Sequence, residues 1–117
     1  MTPTNLPDRA QVIIIGGGIA GCSVAYHLTQ LGWKDVLLLE RKTLTGGSTW
    51  HAAGLVTQLR TSRTMIDIAK YGMGLFPKLE KETGLSTGFQ NVGSLTVART
   101  KGRNDELKKI ASLGRAY

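Results

Sequence analysis

Apolar positions along this chain fall into short β-branched runs and longer helical stripes. Gln11 to Ile15 is a β-branched run that ends in glycines, and Asp35 to Glu40 reads DVLLLE and ends on an acid. Both predict buried parallel strands. Between them Ala20, Gly21, Val24, Leu28 and Leu31 share one face at about 100° per residue, which predicts a helix over Ile19 to Leu31. Gly32 follows, where a left-handed C-cap glycine belongs. Strand, glycine turn, helix and strand make a βαβ unit.

Further on, Thr43 to Gly54 is rich in Gly, Ser, Thr and Ala and predicts a loop entering a short helical turn. Met65, Ile68, Ala69, Gly72, Phe76 and Leu79 then recur at helical spacing behind Thr61 or Ser62 as N-cap. Pro77 predicts a kink in that helix or a fresh start, because it lacks an N–H and crowds the preceding turn. Gly84 ends the segment. Phe89 to Ala98 predicts a strand, with a bulge or tight bend at Gly93. Asn104 is the expected cap of a last helix, with Asp105 and Glu106 at its positive end and Leu107, Ile110 and Ala111 on its apolar face.

The fold class is therefore α/β, the N-terminal βαβ part of a Rossmann-like dinucleotide-binding domain. Residues 1–10 read as a loose arm and residues 11–117 as one domain. A doubly wound sheet needs more strands than the two of clear parallel type here, so the domain is expected to be incomplete.

Composition narrows this picture. The 117 residues are 41% hydrophobic, enough for one small core. No apolar run approaches the ~20 residues that span a membrane. Met1 to Ala10 resembles neither a secretory signal nor a transit helix, which predicts a cytoplasmic location and no membrane partner. One cysteine and two histidines argue against a disulfide framework or a zinc site. The net charge is +7, but the bases are spread along the chain without interleaved aromatics, so no nucleic-acid partner is expected.

The chemistry starts at Gly16-x-Gly18-x-x-Gly21, which follows a strand and opens a helix. That context makes the pattern specific. Gly16 allows the sharp turn, Gly18 lets the backbone approach a pyrophosphate, and Gly21 lets the helix lie close to the strand. The helix start at Ile19 and Ala20 presents free N–H groups and a positive dipole end to the phosphates. Glu40 follows at roughly the 20-residue spacing of the motif. Its carboxylate suits both hydroxyls of an adenosine ribose and would repel a 2′-phosphate. The turn does not by itself separate FAD from NAD, and an NAD-dependent dehydrogenase shares it.

LTGGSTWHAAGLV, from Leu44 to Val56, closely resembles the dimethylglycine and sarcosine dehydrogenase family of FAD enzymes. The likeness includes IIIGGGIAGCSVAYHL and LGWKDVLLLERK and continues more weakly to NVGSLTVA. It implies a glutathione-reductase-like FAD domain, an associated substrate domain, and oxidation of N-methylated glycines by hydride transfer to FAD. It also implies a small amine substrate, tetrahydrofolate bound by a further domain, and oxygen or an electron-transfer flavoprotein as acceptor. By the same resemblance His51 would be joined covalently to the flavin. Ser48, Thr49 and Gly54 would contact the pyrophosphate or the flavin edge, and Arg41 and Lys42 would flank the adenosine. No catalytic residue is assigned, because the groups that clamp the substrate are expected beyond Tyr117. Two other readings stand beside this one. The chain could belong to a non-catalytic relative, such as the regulatory subunit of pyruvate dehydrogenase phosphatase, or it could be inactive by itself. His27 and Cys22, in the first helix, read as packing.

Overall fold

The computed structural model describes residues 6–60 and 62–117. Residues 1–5 of the expected arm, and Thr61 as an expected cap, lie outside the described residues. The chain forms two compact units, Met1–Gly54 and Leu55–Tyr117.

The first unit is α/β. Strand β1 (Val12–Ile15), helix α1 (Ile19–Gln30) and strand β2 (Val36–Leu39) follow in order, and a 3₁₀ turn spans Ser48–His51. The strands pair in parallel, with Val12 opposite Val36 and Ile15 opposite Leu39. Gly16 extends the ladder by donating its N–H to the Leu39 carbonyl at 2.8 Å. β1 alternates faces as a strand must. Ile14 is buried, while Ile13 and Ile15 are 56% and 87% exposed. The expected burial on both faces is thus corrected to one covered face, which α1 closes over Ile14.

That face of α1 also differs from the predicted stripe. Gly21, Ala25 and Leu28 are half-buried, whereas Val24 and Leu31 are exposed. The spacing i, i+4, i+7 from Gly21 puts these three in line, because Gly21 is where the helix comes closest to the strand. The helix ends as predicted. Gly32 takes φ +89°. Its N–H donates to the Thr29 carbonyl, and the Trp33 N–H to the Leu28 carbonyl, each at 3.0 Å. This paired closure satisfies two carbonyls that the helix end would otherwise leave open. His27 is structural, with Nδ1 2.6 Å from the Ser23 carbonyl oxygen.

The second unit is helical. Helix α2 spans Arg63–Thr83 and helix α3 Lys101–Ala116, and Ile66 is buried. Ser62 caps α2, accepting from the Met65 N–H at 3.3 Å. The helix runs through Pro77 as one element instead of restarting there. Pro77 is exposed, where water can take the bond that its missing N–H leaves. Gly84 closes α2 at φ +70°, as expected.

The chain beyond Gly84 folds back on α2. The Glu80 carboxylate accepts from the Thr87 N–H at 2.7 Å and its hydroxyl at 2.8 Å, and the Phe76 and Phe89 rings stack 4.6 Å apart. The strand expected over Phe89 to Ala98 does not form; Val92 and Leu95 are 84% and 91% exposed. A strand needs a partner for its backbone groups, and this segment pairs with none among the described residues. Gly93, at φ +75°, still makes the bend. α3 starts earlier than expected because Thr100, not Asn104, is its cap: the Thr100 hydroxyl accepts from the Arg103 N–H at 3.2 Å. Asp105 and Glu106 instead pair with Lys108 and Arg103 along the helix surface. No helix of the described residues is long and apolar enough to cross a membrane.

Candidate dinucleotide site

The turn between β1 and α1 is built from three successive glycines. Gly16 sits at φ +105°, a conformation that L side chains rarely adopt, so the chain can leave the strand sharply only with glycine here. Gly21 fits just as tightly for a different reason. A Cβ on it would lie 1.9 Å from the Gly16 carbonyl oxygen. Both expectations from the motif hold in the geometry. Gly18 precedes α1 in extended conformation and has no side chain to cap it. The helix start leaves the N–H groups of Ile19, Ala20 and Gly21 without helical acceptors.

Gly17, the variable position of the motif, was not singled out from the sequence, yet it is the joint of the site. Its N–H donates to Glu40 Oε2 at 2.8 Å. Its carbonyl accepts from the Thr45 N–H at 2.8 Å and from Cys22 Sγ at 3.5 Å. A Cβ there would meet Leu44 Cδ2 at 2.5 Å and Glu40 Cβ at 3.0 Å. The one available signal was a glycine where the motif permits any residue.

Glu40 stands just past β2. Besides Gly17, it accepts from the Lys42 N–H through Oε1 at 2.9 Å. These N–H groups, Gly17 foremost and then Lys42, with the Arg41 peptide and charge adding to them, hold its carboxyl below the usual glutamate range despite some desolvation. Each carboxylate oxygen keeps acceptor capacity for a further donor. Lys42 acts here through its backbone, and Arg41 is exposed.

The sign of the pH effect follows from that lowered pKa. The charged carboxylate stabilises the turn above the unfolded-state value, and this contribution is lost as pH falls through the lowered folded value. In a His51→Ala variant of the full-length protein, where no covalent link can hold the cofactor, dinucleotide retention should therefore be strongest at neutral pH and weaken as the solution is made acid. Glu40→Gln, whose amide nitrogen cannot accept an N–H, should weaken retention at pH 7 by about tenfold and flatten this acid limb. Dissociation followed by flavin fluorescence across pH 3–7 measures it; a variant with the wild-type profile would show that Glu40 plays no part.

The loop after β2 returns to the turn. Thr45 adopts φ +61°, a strained region for a β-branched residue. It is held there at both ends, donating its N–H to the Gly17 carbonyl and accepting from the Trp50 N–H at 3.2 Å. Thr49 Oγ1 accepts from the Ile19 N–H at 3.0 Å. Ser48 opens the 3₁₀ turn and His51 closes it, exposed, with the Trp50 ring edge-on to its imidazole at 6.3 Å. Gly54 follows at φ +73° in open space. The structure thus brings Gly16, Gly18, Ile19, Gly21, Glu40 and Thr49 together. The described bonds from loop to turn come through Thr45 and Thr49, and none comes from Ser48, His51 or Gly54. Nothing in the sequence pattern marked Thr45.

Comparison with known proteins agrees with this geometry. The family described as FAD dependent oxidoreductase matches residues 11–117. The chain is 52% identical over 102 residues to 4-methylaminobutanoate oxidase (formaldehyde-forming) of Paenarthrobacter nicotinovorans, covering 87% of this chain. It is 50% identical over 105 residues to human mitochondrial dimethylglycine dehydrogenase, covering 90% of this chain. It is also 47% identical over 107 residues to the mitochondrial pyruvate dehydrogenase phosphatase regulatory subunit of Mus musculus, covering 92% of this chain. In each case the chain spans 12% of the relative's length. The likeness to dimethylglycine and sarcosine dehydrogenases expected from the sequence holds. A family match over residues 11–117, with relatives 50–52% identical over most of the chain, places the chain in the FAD-dependent oxidoreductase family.

Proposed function

We propose that the full-length protein is a flavoenzyme that oxidises an N-methylated amino acid by transferring a hydride from the N-methyl carbon to FAD. The observation that supports this reading is the docking of the 45–51 loop on the glycine turn through Thr45 and Thr49, in a chain that belongs to the FAD-dependent oxidoreductase family. The donor set suits FAD. The cradle at Gly16 to Gly21 leaves room and N–H groups for a pyrophosphate, and Glu40 keeps two acceptor positions for ribose hydroxyls. This is the geometry expected of a Rossmann-like, glutathione-reductase-type FAD domain, of which these residues would form the first part. Bound FAD would supply the two-electron acceptor.

His51 would hold the flavin covalently. Its imidazole nitrogen would replace a C–H of the flavin 8α-methyl by a C–N bond. Forming that bond would release two protons and two electrons, and the electron acceptor would take up the electrons. Ser48 and Thr49 would line the pyrophosphate or flavin edge, Gly54 would allow close approach, and Arg41 and Lys42 would flank the adenosine. The substrate class rests on the names of the relatives, which act on dimethylglycine, sarcosine and 4-methylaminobutanoate. Tetrahydrofolate as recipient of the one-carbon unit, and oxygen or an electron-transfer flavoprotein as acceptor, belong to the same proposal. The human relatives are mitochondrial by name.

The test is anaerobic bleaching. The purified full-length protein should be yellow and should lose its flavin absorbance on adding sarcosine, dimethylglycine or 4-methylaminobutanoate. A colourless protein that binds NAD would replace this reading with a nicotinamide dehydrogenase. The likeness to the phosphatase regulatory subunit supports a second, non-catalytic reading. A yellow protein that none of these amines bleaches would favour it.

A further inference from the structure

An α-helix normally receives its first cap from its own N-cap side chain. α1 cannot, because its N-cap is Gly18. The acceptor comes instead from thirty residues downstream, where Thr49 Oγ1 takes the Ile19 N–H at 3.0 Å. The seat for that hydroxyl exists because position 18 has no side chain: a Cβ on Gly18 would lie 3.1 Å from Thr49 Oγ1. Gly18 therefore has a second role besides admitting a phosphate, since it makes room for Thr49.

The same loop is fastened independently one turn earlier. Thr45 holds a left-handed conformation while bonded to the Gly17 carbonyl on one side and the Trp50 N–H on the other. A β-branched residue stays in that region only where its surroundings fix it. The first fastening precedes the 3₁₀ turn that ends at His51, and the second lies within it.

We propose that Thr49 is a positioning residue: its hydroxyl clamps the His51-bearing turn to the N-terminus of α1, so that the loop is set before the cofactor arrives. While accepting from Ile19, the hydroxyl still has its own proton to donate toward a phosphate oxygen. Cofactor binding then adds a bond to Thr49 without breaking the clamp. The role of His51 in this inference rests on the function proposed above; the clamp itself does not.

The test uses full-length protein produced under riboflavin starvation, so that the flavin-free form can be compared with its variants. Thr49→Val keeps the branched shape and removes the acceptor, and Thr49→Ser keeps the acceptor. Hydrogen exchange at residues 19–21 and 44–52 should be about fivefold quicker in Thr49→Val than in the wild type, and near the wild type in Thr49→Ser. On adding FAD, covalent incorporation should slow in Thr49→Val and recover in Thr49→Ser. Wild-type exchange in Thr49→Val would overturn the clamp. So would a Thr49→Ser protein as defective as Thr49→Val, or a wild-type protein whose 19–21 amides exchange at the rate of an open loop. If the wild type takes up FAD but never binds it covalently, the His51 proposal fails alone, and the exchange data still decide Thr49.

Discussion

Replacing His51 by alanine should turn a protein whose flavin precipitates with it in acid into one whose flavin stays in solution. The change is from about one covalent flavin per chain to none, because a C–N bond is either present or absent. This expectation rests on the resemblance of the Trp50–His51 loop to the dimethylglycine and sarcosine dehydrogenase family, and two features of the structure leave room for it. His51 ends the 3₁₀ turn on an exposed position, open to a ligand, and the Trp50 ring stands edge-on to its imidazole. The chain has only two histidines, so the control is direct. His27 is bonded to the carbonyl of Ser23 within α1, and His27→Asn should keep its flavin in the pellet. Absorbance near the flavin maximum in washed pellets decides the matter. Colour retained by His51→Ala would move the attachment elsewhere, and colour lost by His27→Asn alone would move it to α1.

The second large effect belongs to Gly21. Alanine there should lower FAD affinity by about a hundredfold or abolish soluble expression. Its Cβ would lie 1.9 Å from the Gly16 carbonyl oxygen and 3.3 Å from Ile14 Cγ2. The first contact is with backbone, so no side-chain rotation relieves it. Either α1 lifts from β1 or the Gly16 peptide turns over, and both displace the N–H groups that would face the pyrophosphate. Overpacking of this kind costs about 1–3 kcal/mol and sometimes more, and 3 kcal/mol is roughly a hundredfold in affinity. Two controls rank the cause. Gly18→Ala meets only the Thr49 hydroxyl and should be milder, while Gly47→Ala meets nothing within 4 Å and should leave affinity unchanged. Titration of the three variants with FAD, each made in a His51→Ala background so that binding is reversible, gives the order, and equal affinities for Gly21→Ala and Gly47→Ala would refute the steric argument.

Much of the first unit was legible in the chain itself. β1, α1 and β2 fall where the apolar pattern places them, within a residue at each end, and Gly32 and Gly84 close their helices as predicted. Each of these rests on periodicity or on a backbone angle that glycine accepts, and neighbouring residues settle both. The segment over Phe89 to Ala98 shows where such reasoning stops. Its residues suit a strand, but a strand is a property of two segments, and this one pairs with nothing among the described residues. The α3 cap shows the same limit at short range. Asn104 and Thr100 both offer a capping oxygen, and the extended backbone at Thr100, φ −133°, decides between them.

The site divides in the same way. By itself the sequence determined that a glycine turn opens α1, that Gly16 and Gly21 must be glycine, and that an acid ends β2. Only the tertiary structure decided that Gly17 joins Glu40 to Thr45, that a strained Thr45 anchors the second loop, and that Thr49 rather than any local residue caps α1. The physical reason is the reach of the interaction. A glycine's backbone angle is fixed within its own turn, but the acceptors of the Gly17 and Ile19 N–H groups lie 23 and 30 residues away. The packing of the loop on the turn chooses those partners, and no local pattern encodes them.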